Sequence, residues 1–230
     1  MEKYVPPKAS DKKDYALAAA KAGVGSIPVA GAALNELLSV LITPSLEKRK
    51  YDWMAEVGQG LRDIESRLSS LEDLQSKDNF VDIALEASRI AISTSQEEIR
   101  KALKNAVLNS ALADAADESK QKLFLHFLDT FTEWHIRFLK LFDDPEPYMR
   151  ENKITLGNIY MGGITNLIEA AFPLLKGEEE FSEAIWNDIY SRKLFHTASI
   201  HGTMSASGIT ARRTSALGRE FLRFIENPTL

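Results

Sequence analysis

Apolar side chains recur at steps of three and four residues along the segment 44–74. The members of this stripe are Trp53, Val57, Leu61, Ile64, Leu68 and Leu71. Such spacing places all six on one side of an α-helix, because 3.6 residues complete each turn. Pro44 suits the first turn of that helix, and the intervening charged residues suit its solvated side. The sequence therefore predicts one long amphipathic helix from Pro44 to about Leu74.

A helical period continues through most of the chain up to residue 144. The segments 78–94, 96–116 and 120–142 each carry it, and Thr132 is expected to cap a second helix inside the last of them. The apolar fraction of 44% and the charged fraction of 27% are those of an ordinary globular protein with a core. We therefore expect a mostly α protein in which residues 44–144 form a helical bundle.

The texture of the sequence changes after the stretch DDPEPY, which begins at residue 143. A glycine-containing helix and a shorter acidic helix are followed by the segment 196–214, which is rich in Ser, Thr and Gly. That composition favours a short β-hairpin, and an amphipathic helix then closes the chain. Helix, helix, hairpin, helix is the order of a winged-helix domain, so residues 145–230 are predicted to form a winged-helix-like module.

The N-terminal region divides into a polar arm, residues 1–15, and an apolar Gly/Ala-rich helical hairpin, residues 16–43. Two interpretations of the hairpin stay open. Small residues allow helices to pack closely in a membrane, and lysines flank the run. Asn35 and Glu36 favour packing in a soluble core instead, because burying them in hydrocarbon is costly. The candidate membrane residues are Gly23, Gly25, Pro28, Gly31, Leu34 and Leu38.

Positive charges are concentrated near the end of the chain. Between residues 191 and 225, Glu220 is the single acidic residue. A basic wing could bind DNA phosphates. However, the helix that would enter the major groove is acidic, with five carboxylates between Glu178 and Asp188, and would be repelled by DNA. The residues of this basic patch are Arg192, Lys193, Arg212, Arg213, Arg219 and Arg223.

Catalytic and metal-binding patterns are missing from the sequence. His126, Asp129 and Glu133 would share one helical face, but no second histidine lies at ligand spacing. No phosphate-binding loop and no nucleophile elbow is present. The chain has no cysteine, which excludes thiolate chemistry and fits a reducing cytoplasm. We therefore expect a protein without enzymatic activity, cofactor or metal.

Several short motifs resemble those of the bacterial Abi-alpha-like (abortive infection alpha) family. An A-L-E-x-S helix precedes an E-E-x-R-x-x-x-x-N helix, and a T-x-x-x-G-x-x-F ending and a P-x-x-x-K-R helix start are similar too. The matching positions are Glu86, Ser88, Glu97, Glu98, Arg100, Asn105, Thr214, Gly218, Phe221, Pro44, Lys48 and Arg49. The resemblance implies a role in defence against phage and brings no catalytic residues with it.

Together these observations predict a non-enzymatic anti-phage defence protein that acts through contacts with a protein partner. In this hypothesis the hairpin 16–43 is the effector element, and its insertion would place the cytoplasmic protein at the periphery of the inner membrane. The stripe of residues 53–71 is compatible with self-association as well as with burial within one chain. The alternative hypothesis is a DNA-associating winged-helix regulator.

Overall fold

A computed structural model describes residues 30–68, 71–74, 76–112, 114–157 and 160–228. The protein is mostly helical, as expected, with one small antiparallel sheet of two strands. The helices are α1 Ala30–Asp63, α2 Leu71–Leu74, α3 Asp78–Ser93, α4 Glu97–Ala111, α5 Glu118–Thr130, α6 Glu133–Asp143, α7 Pro145–Glu151, α8 Ile164–Ala171, α9 Glu179–Ser191, α10 Ala206–Ile209 and α11 Ala216–Ile225. The strands are β1 Met161–Gly162 and β2 Met204–Ser205, and 3-10 turns cover Glu65–Arg67 and Pro173–Leu175.

Helix α1 contains the first three residues of the apolar stripe, Trp53, Val57 and Leu61, which pack on buried clusters, but both of its predicted ends are wrong. It begins at Ala30 and passes through Pro44, where the proline removes one backbone donor without ending the helix. It ends at Asp63, because Ile64 leaves the helical path and is buried against Leu108 of α4. Gly60 makes the approach to α4 close, since a β-carbon there would lie 2.8 Å from Leu108 Cδ1.

Helix α4 lies at the centre of the molecule and is contacted by α1, α3, α5, α6 and α11. Two asparagines on α4 bind the end of the last helix. The Asn105 side chain donates to the Ile225 carbonyl at 2.9 Å, and the Asn109 side chain donates to the Phe224 and Glu226 carbonyls at 2.9 Å each. These bonds satisfy carbonyls that a helix end leaves without partners.

One cluster of buried apolar side chains extends from Trp53 to Ile225. It includes residues on both sides of position 145, where the division into bundle and C-terminal module was predicted. Phe221 of α11 is central to it, with ring centroids 5.4 Å from Phe124 and 5.8 Å from Phe131. The described residues of the two predicted parts therefore share a core.

The strand pairing differs from the local hairpin that the sequence suggested for residues 196–214. Strand β2 pairs with the distant β1, with Met161 opposite Ser205 and Gly162 opposite Met204. A returning strand does not follow β2, because Ser205 caps the helical turn α10 and accepts the Gly208 N–H. An isolated antiparallel bridge between Phe195 and Thr214 closes the base of the segment.

Candidate functional site

Two adjacent residues in the first turn of helix α6 lie in different surroundings. Trp134 lies at the surface and is half-buried, whereas His135 is buried with 7% of its side chain exposed. Thr132 is the N-cap of this helix, as the sequence predicted, and so sets where the two side chains leave the backbone. The residues around these two side chains make up the candidate site.

Three aromatic rings from different helices and turns meet on the surface around Trp134. The Trp134 ring lies 5.6 Å from Phe172 and 6.5 Å from Phe181, both in edge-to-face geometry. Phe172 in turn stacks at 5.9 Å on Phe138, which is fully buried. We call Trp134, Phe172 and Phe181 the aromatic patch. Phe181 is 40% exposed, so the patch presents apolar surface to solvent, and the nearby turn residue Leu174 is 82% exposed.

A fixed guanidinium group holds Trp134 in place. Arg137 lies over the Trp134 ring at 4.8 Å. The Nε of Arg137 donates to Glu98 at 2.8 Å, and its Nη2 donates to Glu133 at 3.2 Å. The hydrogen bond that Arg137 donates to Glu98 raises the pKa of Arg137, so the guanidinium stays charged. The guanidinium of this cation–π contact is thus a charged group paired with two carboxylates. It holds the Trp134 ring in one orientation.

Carboxylates border the aromatic patch where α9 begins. Glu178, Glu179 and Glu180 directly precede Phe181, and all three are exposed. No side chain within the described ranges forms an ion pair or hydrogen bond with any of them. Acidic residues in a first turn favour helix formation, which explains part of their presence. They also give this side of the patch a negative potential.

Beneath the patch, His135 occupies a buried polar junction between α6 and α9. Its Nδ1 accepts the main-chain N–H of Thr132 at 3.0 Å. Because that nitrogen accepts, the neutral ring carries its proton on Nε2, which lies 3.2 Å from Asp188 Oδ2. Burial lowers the pKa of His135, and the opposing effect of Asp188 is smaller. The ring also stacks on Phe131 at 4.5 Å.

Arg192 completes this junction, which we define as His135, Asp188 and Arg192. Arg192 Nε donates to the other oxygen of Asp188 at 3.1 Å. Its guanidinium lies 4.9 Å from the Phe131 ring centre and 5.2 Å from that of Phe127. Both carboxylate oxygens thus have partners. The junction connects α6 to α9, and so positions Trp134 of the first helix against Phe181 of the second.

Four of the six residues of the predicted basic patch have partners within the described chain, although one of them, Arg212, is 48% exposed. Arg192 belongs to the buried junction. Arg212 donates to the Asp143 carbonyl, and Arg213 donates to the Gly208 carbonyl. Burial lowers the pKa of Arg213. Arg219 reaches the Thr214 carbonyl at 3.4 Å.

The two remaining residues of the predicted patch stay at the surface. Lys193 Nζ lies 5.5 Å from the Tyr190 ring centre, and the Arg223 side chain is exposed. Arg223 borders an open, polar cavity of about 440 Å³ beside Lys120 and Glu220, which form an ion pair at 2.6 Å. Positive and negative groups alternate around this cavity, so no one class of ligand is indicated.

The predicted face of His126, Asp129 and Glu133 does not form. Helix α5 ends at Thr130 and α6 begins at Glu133, so the three residues lie on two helices. Arg89 binds Asp129 at 2.8 Å, and Arg137 binds Glu133. Within the ranges that the structure covers, no three His, Cys, Asp or Glu side chains are grouped as metal ligands.

Half of the six candidate membrane residues lie outside the described part of the chain. Gly23, Gly25 and Pro28 lie outside the described residues, while Gly31, Leu34 and Leu38 lie within α1. None of the described helices has an apolar stretch long enough to cross a membrane.

The positions that carry the family resemblance hold helices together. Ser88 Oγ accepts the Trp53 Nε1–H at 2.8 Å, which joins α3 to α1. Arg100 pairs with Glu56 at 3.2 Å, and Glu98 pairs with Arg137. Gly218 is required by space, because a β-carbon there would lie 2.3 Å from the Leu194 carbonyl oxygen. These residues are explained by the fold, without a direct role in binding.

Sequence reasoning missed the aromatic patch. It assigned no binding role to Trp134, Phe172 or Phe181. The available signal was the run EEEF at residue 178, where three charges precede an aromatic residue. Neither a family model, nor a curated protein, nor a solved structure matches this chain.

Proposed function

We propose that this protein is a non-enzymatic component of bacterial defence against phage, and that it acts by binding a protein partner through the aromatic patch. The observation that carries the proposal is the contact of Trp134 with Phe172 and Phe181 at the surface. Aromatic residues dominate the energetics of protein interfaces, where they are enriched over the rest of the surface. Exposed apolar clusters of this kind mark interaction sites.

The order of the site supports binding. Phe172 is anchored on the buried Phe138, and Arg137 orients Trp134 from above. Such preorganisation lowers the entropy that a partner would otherwise have to overcome.

The state of His135 supports a role without catalysis. A general base needs an accessible nitrogen within hydrogen-bond reach of its substrate. Nδ1 of His135 is occupied by Thr132 and Nε2 faces Asp188, while the ring is buried. The junction therefore serves to position two helices in this proposal.

The defence role rests on the family resemblance. The membrane-acting interpretation of residues 16–43, the winged-helix-like arrangement of residues 145–230 and the DNA-associating alternative stay predictions from the sequence. The ties of Arg192, Arg212 and Arg213 to groups within the chain do not favour the last of these.

A phage challenge tests the proposal. Bacteria expressing the full chain, the double variant Trp134→Ala/Phe181→Ala, or the control Tyr160→Ala would be infected with a panel of phages. Tyr160 is a matched aromatic control, because it is 92% exposed and lies outside the patch. We expect protection from the full chain and from the control, and its loss in the double variant at unchanged protein level. Equal protection by the double variant would contradict the role of the patch, and no protection by the unaltered chain would contradict the defence role.

A further inference from the structure

We infer that the partner segment that binds the aromatic patch is a basic amphipathic helix. Its apolar side chains would lie on Trp134, Phe172 and Phe181, and its Lys or Arg side chains would reach the carboxylates at the start of α9. This inference rests on the proposed binding function of the patch and adds the chemistry of the partner.

The charges around the patch select a cationic partner. Glu178, Glu179 and Glu180 are exposed and without partners among the residues described here, and Phe181 follows them directly. Arg137 does not oppose this potential, because Glu98 and Glu133 neutralise it. The chain as a whole carries a net charge of −5. Complementary charge steers encounter and suppresses wrong partners, which include nucleic acids in this case.

The spacing of the rings suits a helix. Ring centres lie 5.6 and 6.5 Å from the central Trp134. Side chains one turn apart on a helix, at i and i+3 or i+4, are separated by about 5–6 Å between β-carbons. The rings pack against one another and leave no cleft, but two successive apolar residues of one helical face can each lie against the exposed edge of one ring.

The preference of helix ends for acidic residues does not account for the whole arrangement. It explains carboxylates in the first turn of α9. It does not explain why Phe181, in the same turn, leaves 40% of its surface in solvent beside the half-buried Trp134. A binding surface explains both features, because the rings supply contact area and the carboxylates supply specificity.

A pair of designed peptides tests the inference on the full chain. Each peptide has about 14 residues, or four helical turns, with leucines at i, i+3, i+4 and i+7. One peptide carries lysine at every polar position and the other carries glutamate. Binding is followed by tryptophan emission, since Trp53 and Trp186 are 2% and 0% exposed and Trp134 is the accessible reporter among the three. The variant Trp134→Phe checks that assignment.

Two matched triple variants separate local charge from total charge. Glu178→Gln/Glu179→Gln/Glu180→Gln removes the carboxylates beside the patch. Glu65→Gln/Glu146→Gln/Glu151→Gln removes three exposed carboxylates elsewhere. We expect the lysine peptide to bind, its Kd to rise with salt, and the first triple variant to raise that Kd about tenfold or more while the second leaves it nearly unchanged.

Three results would overturn the inference. They are equal binding of the two peptides, no effect of the first triple variant, and a dimer of the unaltered chain that Trp134→Ala/Phe181→Ala converts to a monomer. The last would make a second copy of the chain the occupant. Loss of phage protection in the double variant combined with no binding of the lysine peptide would remove the partner chemistry and leave the proposed function intact. Peptide binding by an unaltered chain that gives no phage protection would remove the proposed defence function and leave the partner chemistry intact.

Discussion

The buried junction and the aromatic patch share helices α6 and α9, and Phe172 joins the patch from the end of α8. In the junction, His135 is buried, and the partly exposed Asp188 and Arg192 have partners. His135 is held by Thr132 and Asp188, and Asp188 is held by Arg192 as well. In the patch, Trp134 and Phe172 are half-buried, Phe181 is 40% exposed, and the three neighbouring carboxylates have no partner within the described chain.

The difference separates what the fold explains from what it does not. Burying a partnered polar group is compatible with stability, because its hydrogen bonds with water are replaced. Leaving large apolar rings exposed gains nothing for the folded chain, since their transfer out of water is the main favourable contribution to folding. The junction is therefore explained by folding, and the patch is the region that the proposed partner would cover.

The two regions are also mechanically related. The junction fixes α6 against α9, and the 6.5 Å contact between Trp134 and Phe181 spans the same pair of helices. Changes in the junction should thus act on stability first and on binding through the geometry of the patch. Changes in the patch should act on binding alone.

Replacing His135 with Ala should give the largest loss of stability in either region. The variant loses a buried ring stacked on Phe131 and leaves the Thr132 N–H without its acceptor. We expect the free energy of unfolding to fall by about 2–4 kcal/mol. Urea unfolding followed by circular dichroism measures it. Trp134→Ala, at the adjacent position, is the control, and a larger loss there than at His135 would reverse the comparison.

Replacing Asp188 with Asn should cost less. The amide oxygen can still accept from His135, while Arg192 loses its charged acceptor. Because 36% of the Asp188 side chain is exposed, solvent screens the pair, and we expect a loss of about 1 kcal/mol. Asp144→Asn is the control, since Asp144 is 60% exposed and lies 3.9 Å from Arg212. Equal effects of the two substitutions would show that Asp188 does not connect the helices.

The helical class of the protein could be predicted because its signals are local. The stripe of Trp53, Val57, Leu61 and Ile64 specifies a helical face whatever lies opposite it, and the first two pack on the main core. Thr132 marked a helix start through its own side chain. The C-terminal end of α1 was missed because it depends on the packing of Ile64 on Leu108, a residue of another helix.

The strands and the arginine contacts could not be predicted for the same reason. Ser205 pairs with Met161, which lies far from it in the sequence, while the nearby residues form a helical turn. Arg212 and Arg213 bind carbonyl groups, and a sequence carries no mark of which carbonyl will be in reach. Counting charges between residues 191 and 225 therefore could not show which arginines have partners within the chain.

The candidate site was hidden because its parts come from three segments. Trp134, Phe172 and Phe181 are each compatible with a core position when read alone. Only their packing shows that the rings meet at the surface. The neighbouring glutamates were visible, but in the sequence analysis they counted only as an obstacle to DNA binding.

The pH dependence of the free energy of unfolding should distinguish the junction from the aromatic patch, with a smaller effect than the substitutions in the junction. Burial lowers the pKa of His135 in the folded state, so the unfolded chain binds its proton more readily. The free energy of unfolding should therefore fall as pH decreases through the unfolded value of about 6.5 toward the lower folded value, and one proton limits the slope to about 1.4 kcal/mol per pH unit. Below the folded pKa the effect is complete.

Comparison with His135→Gln isolates this contribution from that of the carboxylates. We expect the variant to show a flatter profile as pH falls through about 6.5, the value in the unfolded chain, toward the lowered folded pKa of His135. Asp188 and Arg192 are present in both chains, so their effects largely cancel. Identical profiles would show that His135 does not titrate differently in the folded protein. Trp134→Phe should follow the profile of the unaltered chain.

Replacing Phe181 with Ala should have the smallest effect on stability and a clear effect on Trp134. Because 40% of the ring is already exposed, we expect the free energy of unfolding to fall by about 1 kcal/mol or less. The same substitution removes the ring that lies 6.5 Å from Trp134, so acrylamide should quench the tryptophan emission more strongly. Trp53 and Trp186 are buried and contribute little to that change. A loss as large as that of His135→Ala would place Phe181 with the core, and the patch would then be explained by folding alone.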